Sequence, residues 1–376
     1  MKKTVILLFL CATLVVFALP CVAFAETPLA CQSKCALLLA EDGTIIYEKN
    51  AHDKRPIASM TKIMTLCCIY DAIESQKLSL SDQVTVSSNA SSMGGSQVFL
   101  DANTTHKVED LIKSIIICSA NDSCVAMAEH LCGSVEVFVS QMNQKAKQLG
   151  MTNTHFSNCT GLPAVDAYST AYDVALMTKE LSRHKHYFEC AKIWMEDYVH
   201  PSGRITGMTN TNKLVRFYNG CLGGKTGYTC EAQHCLSAIA KRGDTLFYSV
   251  VMASPDSKTR FSEVSNMFNF GFANYESKMF VDVGEVVQHE TLSNGKTALE
   301  IGVEKPLFAF GKRGSLDCRV EYELDENLKA PILQGQKVGV ARLITQDKIL
   351  EVNLIAKCNV DAKGILDYVL DFVDNW

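Results

Sequence analysis

Strand-like segments stand at both ends of the first 275 residues with helical segments between them, and that order constrains the fold more than any other feature. Near the start, 36–40 and 44–48 read as two strands joined at an Asp42-Gly43 turn. Far along the chain, 225–229, 236–241 and 245–253 read as three consecutive strands. Between them, 59–75, 107–118, 122–131, 134–149 and 170–184 carry helical spacing, and 261–275 is an amphipathic helix. The simplest closure draws both ends into one sheet and packs the helices on it. The predicted class is therefore α/β in the α+β sense, an antiparallel sheet flanked by helices. From 276 to 360 the pattern changes to short alternating strands, with turns at Ser293-Asn294-Gly295-Lys296 and Gly335-Gln336. A smaller C-terminal β domain is expected there.

The 41 acidic and 36 basic side chains leave a net charge of −5. A chain that is 20% charged and 47% hydrophobic is globular rather than disordered. Its acidic balance argues against nucleic acid as a partner. Residues 1–25 read as a secretory signal peptide. Lys2 and Lys3 precede an apolar run from Val5 to Phe24, and Ala23-Phe24-Ala25 marks the expected cleavage site. An uncleaved anchor is the alternative. No later segment approaches the ~20 apolar residues of a membrane helix, so an exported, extracytoplasmic protein is expected. The expected layout is 1–25 signal peptide, 26–275 main domain, 276–360 β domain and 361–376 tail.

In the tail, Ile365, Val369, Phe372 and Trp376 share a helical face, while Asp361, Asp367, Asp371 and Asp374 outweigh Lys363. It reads either as a weak membrane contact or as a helix packed on the β domain. Cys11 and Cys21 lie in the signal, leaving 14 of the 16 cysteines. Cys67 and Cys68 sit in an apolar run, and Cys124 and Cys132 are ~12 Å apart along a helix. Most of the 14 therefore read as small buried hydrophobes. Cys221, Cys230 and Cys235 are the expected exceptions. No Cys-x-x-Cys pair supports a zinc site.

Three short elements carry the chemistry. In Ser59-Met60-Thr61-Lys62, Ser and Lys at i and i+3 share a helix face. A neutral, buried Lys could take the Ser proton, and a helix start favours developing negative charge. The same spacing recurs at Ser182–Lys185 and Ser293–Lys296, but only Ser59 follows a proline-bearing loop and opens an apolar helix. In Ser119-Ala120-Asn121, a turn between helices can aim a hydroxyl and an amide into a cleft. Alone, Ser119 reads as a helix cap. In Lys225-Thr226-Gly227, a strand presents a cation and a hydroxyl to a carboxylate, and Gly227 admits a substrate backbone. Alone, it reads as an edge strand with an exposed Lys.

Together and in this order, the set resembles the serine D-alanyl-D-alanine carboxypeptidases, the low-molecular-mass penicillin-binding proteins. The stretch from Ser119 to His130, Gly161-Leu-Pro163, Tyr168 to Asp173, Lys225 to Thr229 and Gln334 to Gly339 extend the resemblance over the whole mature chain. It implies a β-lactamase/DD-peptidase-like fold and needs no metal or cofactor. It implies Ser59 as nucleophile, Lys62 as general base and Ser119 as proton relay. Asn121, Lys225, Thr226, Gly227, Tyr228 and Arg260 would bind substrate, Tyr228 through its backbone N–H in an oxyanion hole with that of Ser59. Arg260 alone reads equally as a solvated arginine at a helix start. The implied partners are peptidoglycan stem peptides, with β-lactams as covalent inhibitors. Ala167 departs from the family, where a His often stands. A D,D-endopeptidase or transpeptidase, a serine β-lactamase and a non-catalytic envelope-binding protein are the competing readings. Neither the extra β domain nor the loops suit a lactamase.

Overall fold

A computed structural model describes residues 29–345 and 348–374. The expected signal peptide and cleavage site lie outside the described residues. From Cys31 on, the chain packs as one unit. Strands β1 (Cys35–Ala40) and β2 (Ile45–Lys49) come first. Two short pairs sit among the helices: β3 (Gln83–Thr85) with β4 (Thr105–Lys107), and β5 (Met195–Val199) with β6 (Ile205–Thr209). Then follow β7 (Cys221–Thr229), β8 (Gln233–Arg242) and β9 (Thr245–Ser254). The main sheet runs β2-β1-β9-β8-β7 with every neighbour antiparallel. The first hairpin thus docks on the last strand, from Cys35↔Met252 to Ala40↔Phe247.

Both faces of this sheet are covered, which is why β1 and β9 are buried along their whole length. Cys35, Leu37 and Leu39 join the large core shared with the helices Lys62–Glu74 and Ala171–Leu181. The helix Ser257–Asn274 lies on the other face. Phe247 meets its Phe272 with ring centroids 5.0 Å apart. Gly271 permits that approach, since a Cβ there would stand 2.9 Å from the Phe247 ring. Side-chain caps fix two helix starts: Thr170 Oγ1 accepts the N–H of Asp173, and Asp256 accepts that of Thr259. The predicted helix 170–184 ends at Leu181, and a separate helix Lys185–Ala191 follows.

The second part contains β10 (Tyr275–Val281), β11 (Gln288–Glu290), β12 (Leu299–Val303), β13 (Leu307–Lys312), β14 (Arg319–Leu324), β15 (Lys337–Ile344) and β16 (Ile349–Ala356). β10 pairs with β13, and a second sheet runs β11-β12-β16-β15-β14. They enclose a separate core of residues such as Ile301, Val338, Leu343 and Leu354. The helix Ile365–Asp374 follows. Its Ile365, Leu366, Val369 and Leu370 are solvent-exposed and so do not pack on the β domain, the quieter of the two expectations, although Asp367 pairs with Lys296 there. The Phe372 side chain and Trp376 lie outside the described residues. No helix of the described residues is long and apolar enough to cross a membrane.

Eight of the fourteen cysteines after Ala25 are buried: Cys35, Cys67, Cys68, Cys124, Cys159, Cys190, Cys221 and Cys235. Cys221 and Cys235 are thus not exceptions, because both side chains are buried, on the edge strand β7 and its neighbour β8. Cys230, in the β7–β8 turn, is exposed.

Candidate active site

The three elements converge where the edge of the main sheet meets the helical part. Ser59 lies in a 3₁₀ turn, Ala58–Thr61, and the α-helix proper begins at Lys62. The predicted helix start is thus tighter than an α-turn. Ala58 has φ +47°, a left-handed conformation that a non-glycine residue adopts at a cost of ~1–3 kcal/mol. Two glycines let other segments close on this turn. A Cβ at Gly161 would stand 1.9 Å from the Ala58 carbonyl oxygen, and one at Gly227 would stand 2.5 Å from that of Ile57. Gly227 lies on β7, the end strand of the main sheet among the described residues, and its side-chain face meets the Ser59 turn.

Ser59 is half-buried, whereas Lys62 is fully buried. Lys62 Nζ lies 3.2 Å from Ser59 Oγ. It also donates to Asn121 Oδ1 at 2.6 Å and to the Thr160 carbonyl at 2.6 Å. All three acceptors are neutral oxygens. Burial therefore pushes the Lys62 ammonium below the usual lysine range, against the nearby Cys124, Cys159, Cys118 and Asp122, which favour its charge. Thr160 and its support were not foreseen. Asn158 Oδ1 accepts the N–H groups of Thr160 and Gly161, and that turn sends the Thr160 carbonyl toward Lys62. The Asn158-Cys-Thr-Gly161 run was the available signal.

Ser119 also has a left-handed backbone, φ +66°. The capping reading fails here, because Ala120 is the N-cap of the helix Asn121–Cys132 and no side chain caps it. Ser119 Oγ is instead buried and, among the described residues, has no hydrogen-bond partner. It is a hydroxyl left available for something that enters the cleft. Asn121 Nδ2 donates to the Gly94 carbonyl at 2.7 Å, which turns Oδ1 toward Lys62.

Lys225 and Thr226 are buried on β7 rather than exposed at an edge. Burial, the charge of Lys62 and that of Arg260 pull the Lys225 ammonium down to about 7, against the thiols of Cys124 and Cys118. Tyr187 Oη accepts the Gly224 N–H at 2.8 Å, and Asn212 Nδ2 donates to the Gly223 carbonyl at 3.1 Å. These contacts fix the strand just before Lys225. The Tyr228 side chain is exposed and stacks on His234 at 4.5 Å. Arg260 is buried, so the solvated reading fails as well. Its guanidinium donates to the carbonyls of Gly227 and Cys235, at 3.1 and 3.3 Å, behind the strand that carries Lys225. The other two Ser-x-x-Lys matches do other work. Ser182 Oγ bonds Tyr248 Oη, and Lys296 pairs with Asp367.

The arrangement offers a hydroxyl with a poised amine, a second free hydroxyl, a cation for a carboxylate and a strand edge for a peptide. The family model described as D-alanyl-D-alanine carboxypeptidase matches residues 22–256. The chain belongs to the D-alanyl-D-alanine carboxypeptidase family. A second model, the C-terminal domain of penicillin-binding protein 5, matches residues 275–362 of this carboxypeptidase-family chain. The chain is 37% identical to the Bacillus subtilis D-alanyl-D-alanine carboxypeptidase DacF, over 93% of this chain and 91% of that one. It is 34% identical to the Escherichia coli carboxypeptidase DacC, over 88% and 84%. The crystal structure of Haemophilus influenzae penicillin-binding protein 5 matches with a TM-score of 0.70 at 29% identity, covering 89% of this chain and 99% of that one. The fold and the enzyme class expected from the three elements are therefore those of the relatives.

Proposed function

We propose that this serine D-Ala-D-Ala carboxypeptidase removes the terminal D-Ala from peptidoglycan pentapeptide stems through an acyl-enzyme on Ser59. The observation that carries the reading is a fully buried amine, Lys62 Nζ, 3.2 Å from the hydroxyl of a solvent-reachable serine. A neutral Lys62 accepts the Ser59 proton as Oγ attacks the carbonyl between the two D-Ala residues. The oxyanion is held by the backbone N–H groups of Ser59 and Tyr228. Ser119 Oγ relays that proton from Lys62 to the leaving amine, which departs as D-Ala. Water then hydrolyses the ester. Lys225 and Thr226 hold the terminal carboxylate, and the outer edge of β7 holds the peptide backbone antiparallel beside Gly227. Arg260 braces that strand and adds positive charge behind it. Penicillin, with a reactive amide and a carboxylate in similar places, acylates the same serine.

Residues 26–275 serve as the catalytic domain and 276–360 as a separate β domain. The signal sequence in 1–25 exports the chain to the wall side of the membrane. The exposed apolar residues of the tail helix support a weak membrane contact, opposed by its acidic side chains. The test is acylation by labelled penicillin followed by peptide mapping. The label is expected on Ser59, and a label on another residue would refute the assignment.

A further inference from the structure

Asp122 follows the Ser119-Ala-Asn121 element and is fully buried at the start of the helix Asn121–Cys132. Its hydrogen-bond partners are backbone N–H groups. Oδ2 accepts from Val98 at 3.2 Å and from Leu100 at 3.1 Å, and Oδ1 accepts from Ser123 at 2.9 Å. Two of those donors lie on one strap, residues 94–100, which crosses the start of the helix. The strap is also tied to Asn121 itself. The Asn121 N–H donates to the Ser96 carbonyl at 2.7 Å, and Asn121 Nδ2 donates to the Gly94 carbonyl at 2.7 Å. An amide whose nitrogen is held by the strap must turn its oxygen the other way, and that oxygen receives the Lys62 ammonium at 2.6 Å. Phe99, between the two anchored residues, has φ +64°, a conformation that persists where neighbours over-determine it.

We propose that Asp122 is a positioning residue for acylation: it pins the 94–100 strap, the strap orients the Asn121 amide, and the amide holds Lys62 toward Ser59. This rests on Lys62 being the base. Asp122 also supplies a negative charge within electrostatic reach of Lys62. Asp122→Asn removes that charge and replaces one acceptor oxygen with an NH₂ facing backbone donors. Both the loosened amide and the lost charge make the Lys62 ammonium less favourable. The acid limb of the acylation profile therefore moves to lower pH, while the rate falls.

The experiment is penicillin acylation and D-Ala release across pH by the full chain, normalised to titrated active sites. Wild-type labelling at Ser59 tests the functional reading, whereas the ratio of variant to wild type tests this proposal. D122N is expected to lose about 10²-fold in acylation rate, the low end of what a positioned base supplies. Its acid limb should shift downward, and KM for the peptide should not rise, since a less charged Lys62 only favours the Lys225 ammonium. Gly95→Ala disturbs the same strap without touching Asp122, because a Cβ there would stand 2.9 Å from Asn121 Nδ2 at a backbone φ of +79°. It should lower kcat rather than raise KM, and it stands in if D122N fails to fold. A wild-type rate and limb in either folded variant, or a loss that vanishes on normalisation to active sites, would overturn the proposal.

Discussion

Lys62 and Lys225 are two buried amines, each pushed down by burial and Lys225 also by the charge of Lys62, and the roles proposed for them need opposite protonation states. Lys62 must be neutral to take a proton from Ser59. Lys225 must be charged to hold a carboxylate. Acylation should therefore rise with pH as Lys62 loses its proton, over a range below that of an ordinary lysine. Substrate binding should weaken as pH climbs through about 7, where free Lys225 gives up its charge. The expected profile of kcat/KM is a bell with its alkaline limb in KM, and a KM flat from neutral into the alkaline range would contradict the assignment. Lys62→Ala should cost about 10²–10⁴-fold in acylation rate, the usual contribution of a positioned base, measured by stopped-flow with a chromogenic β-lactam. A full rate in that variant would remove the role. The sequence exposes Ser59, Lys62, Ser119 and Lys225 as residue types at useful spacings. It conceals Thr160, because a backbone carbonyl has no signature in side-chain pattern.

At the scale of elements, the site is a meeting of a strained turn, a loop and a sheet edge. Gly161 carries φ +80° and has no room for a Cβ beside the Ala58 carbonyl. Gly161→Ala should destabilise the protein by about 1–3 kcal/mol and displace the Ser59 turn. Thermal melting should drop by several degrees, at roughly 2–4 °C per kcal/mol for a chain of this size, with slower acylation of the folded fraction. An unchanged melting point would mean that the loop yields freely. The long helices and the sheet strands are legible because their apolar periods persist over many residues. The hairpin of β5 and β6 and the three-residue β3 and β4 were not read, since each of these strands buries only one side chain and so shows no apolar alternation. Positive φ at Ala58 and Ser119 was equally invisible, because neither Ala nor Ser marks a left-handed position in a sequence.

On the scale of the whole molecule, the β domain is tied to the catalytic part through a few defined contacts. Arg313 donates to the Phe272 carbonyl at 2.8 Å, Ser277 N–H reaches Thr245 Oγ1 at 2.8 Å, and Phe310 packs on Phe247 at 5.9 Å. None of them touches the Ser59 turn. The exposed helix Ile365–Asp374 is farther along the chain still. Deleting residues 365–376 should leave acylation within about twofold of the parent, because the core that holds Lys62 is complete without them. A marked loss on deletion, measured by β-lactam labelling, would require the tail to act on the site. The change of character near 275 is readable because the apolar pattern switches from helical to alternating spacing. The side of the tail helix that faces solvent was not, because its stripe suits a membrane or a protein face equally well. The central claim is one serine acting on one bond. Its most direct test is D-Ala release from a peptide ending in D-Ala-D-Ala, run for the chain from Glu26 and for Ser59→Ala, each with and without penicillin. The expected result is release by the parent that stops with penicillin, and none by the variant. Release by Ser59→Ala, or release by the parent that penicillin leaves untouched, would contradict it.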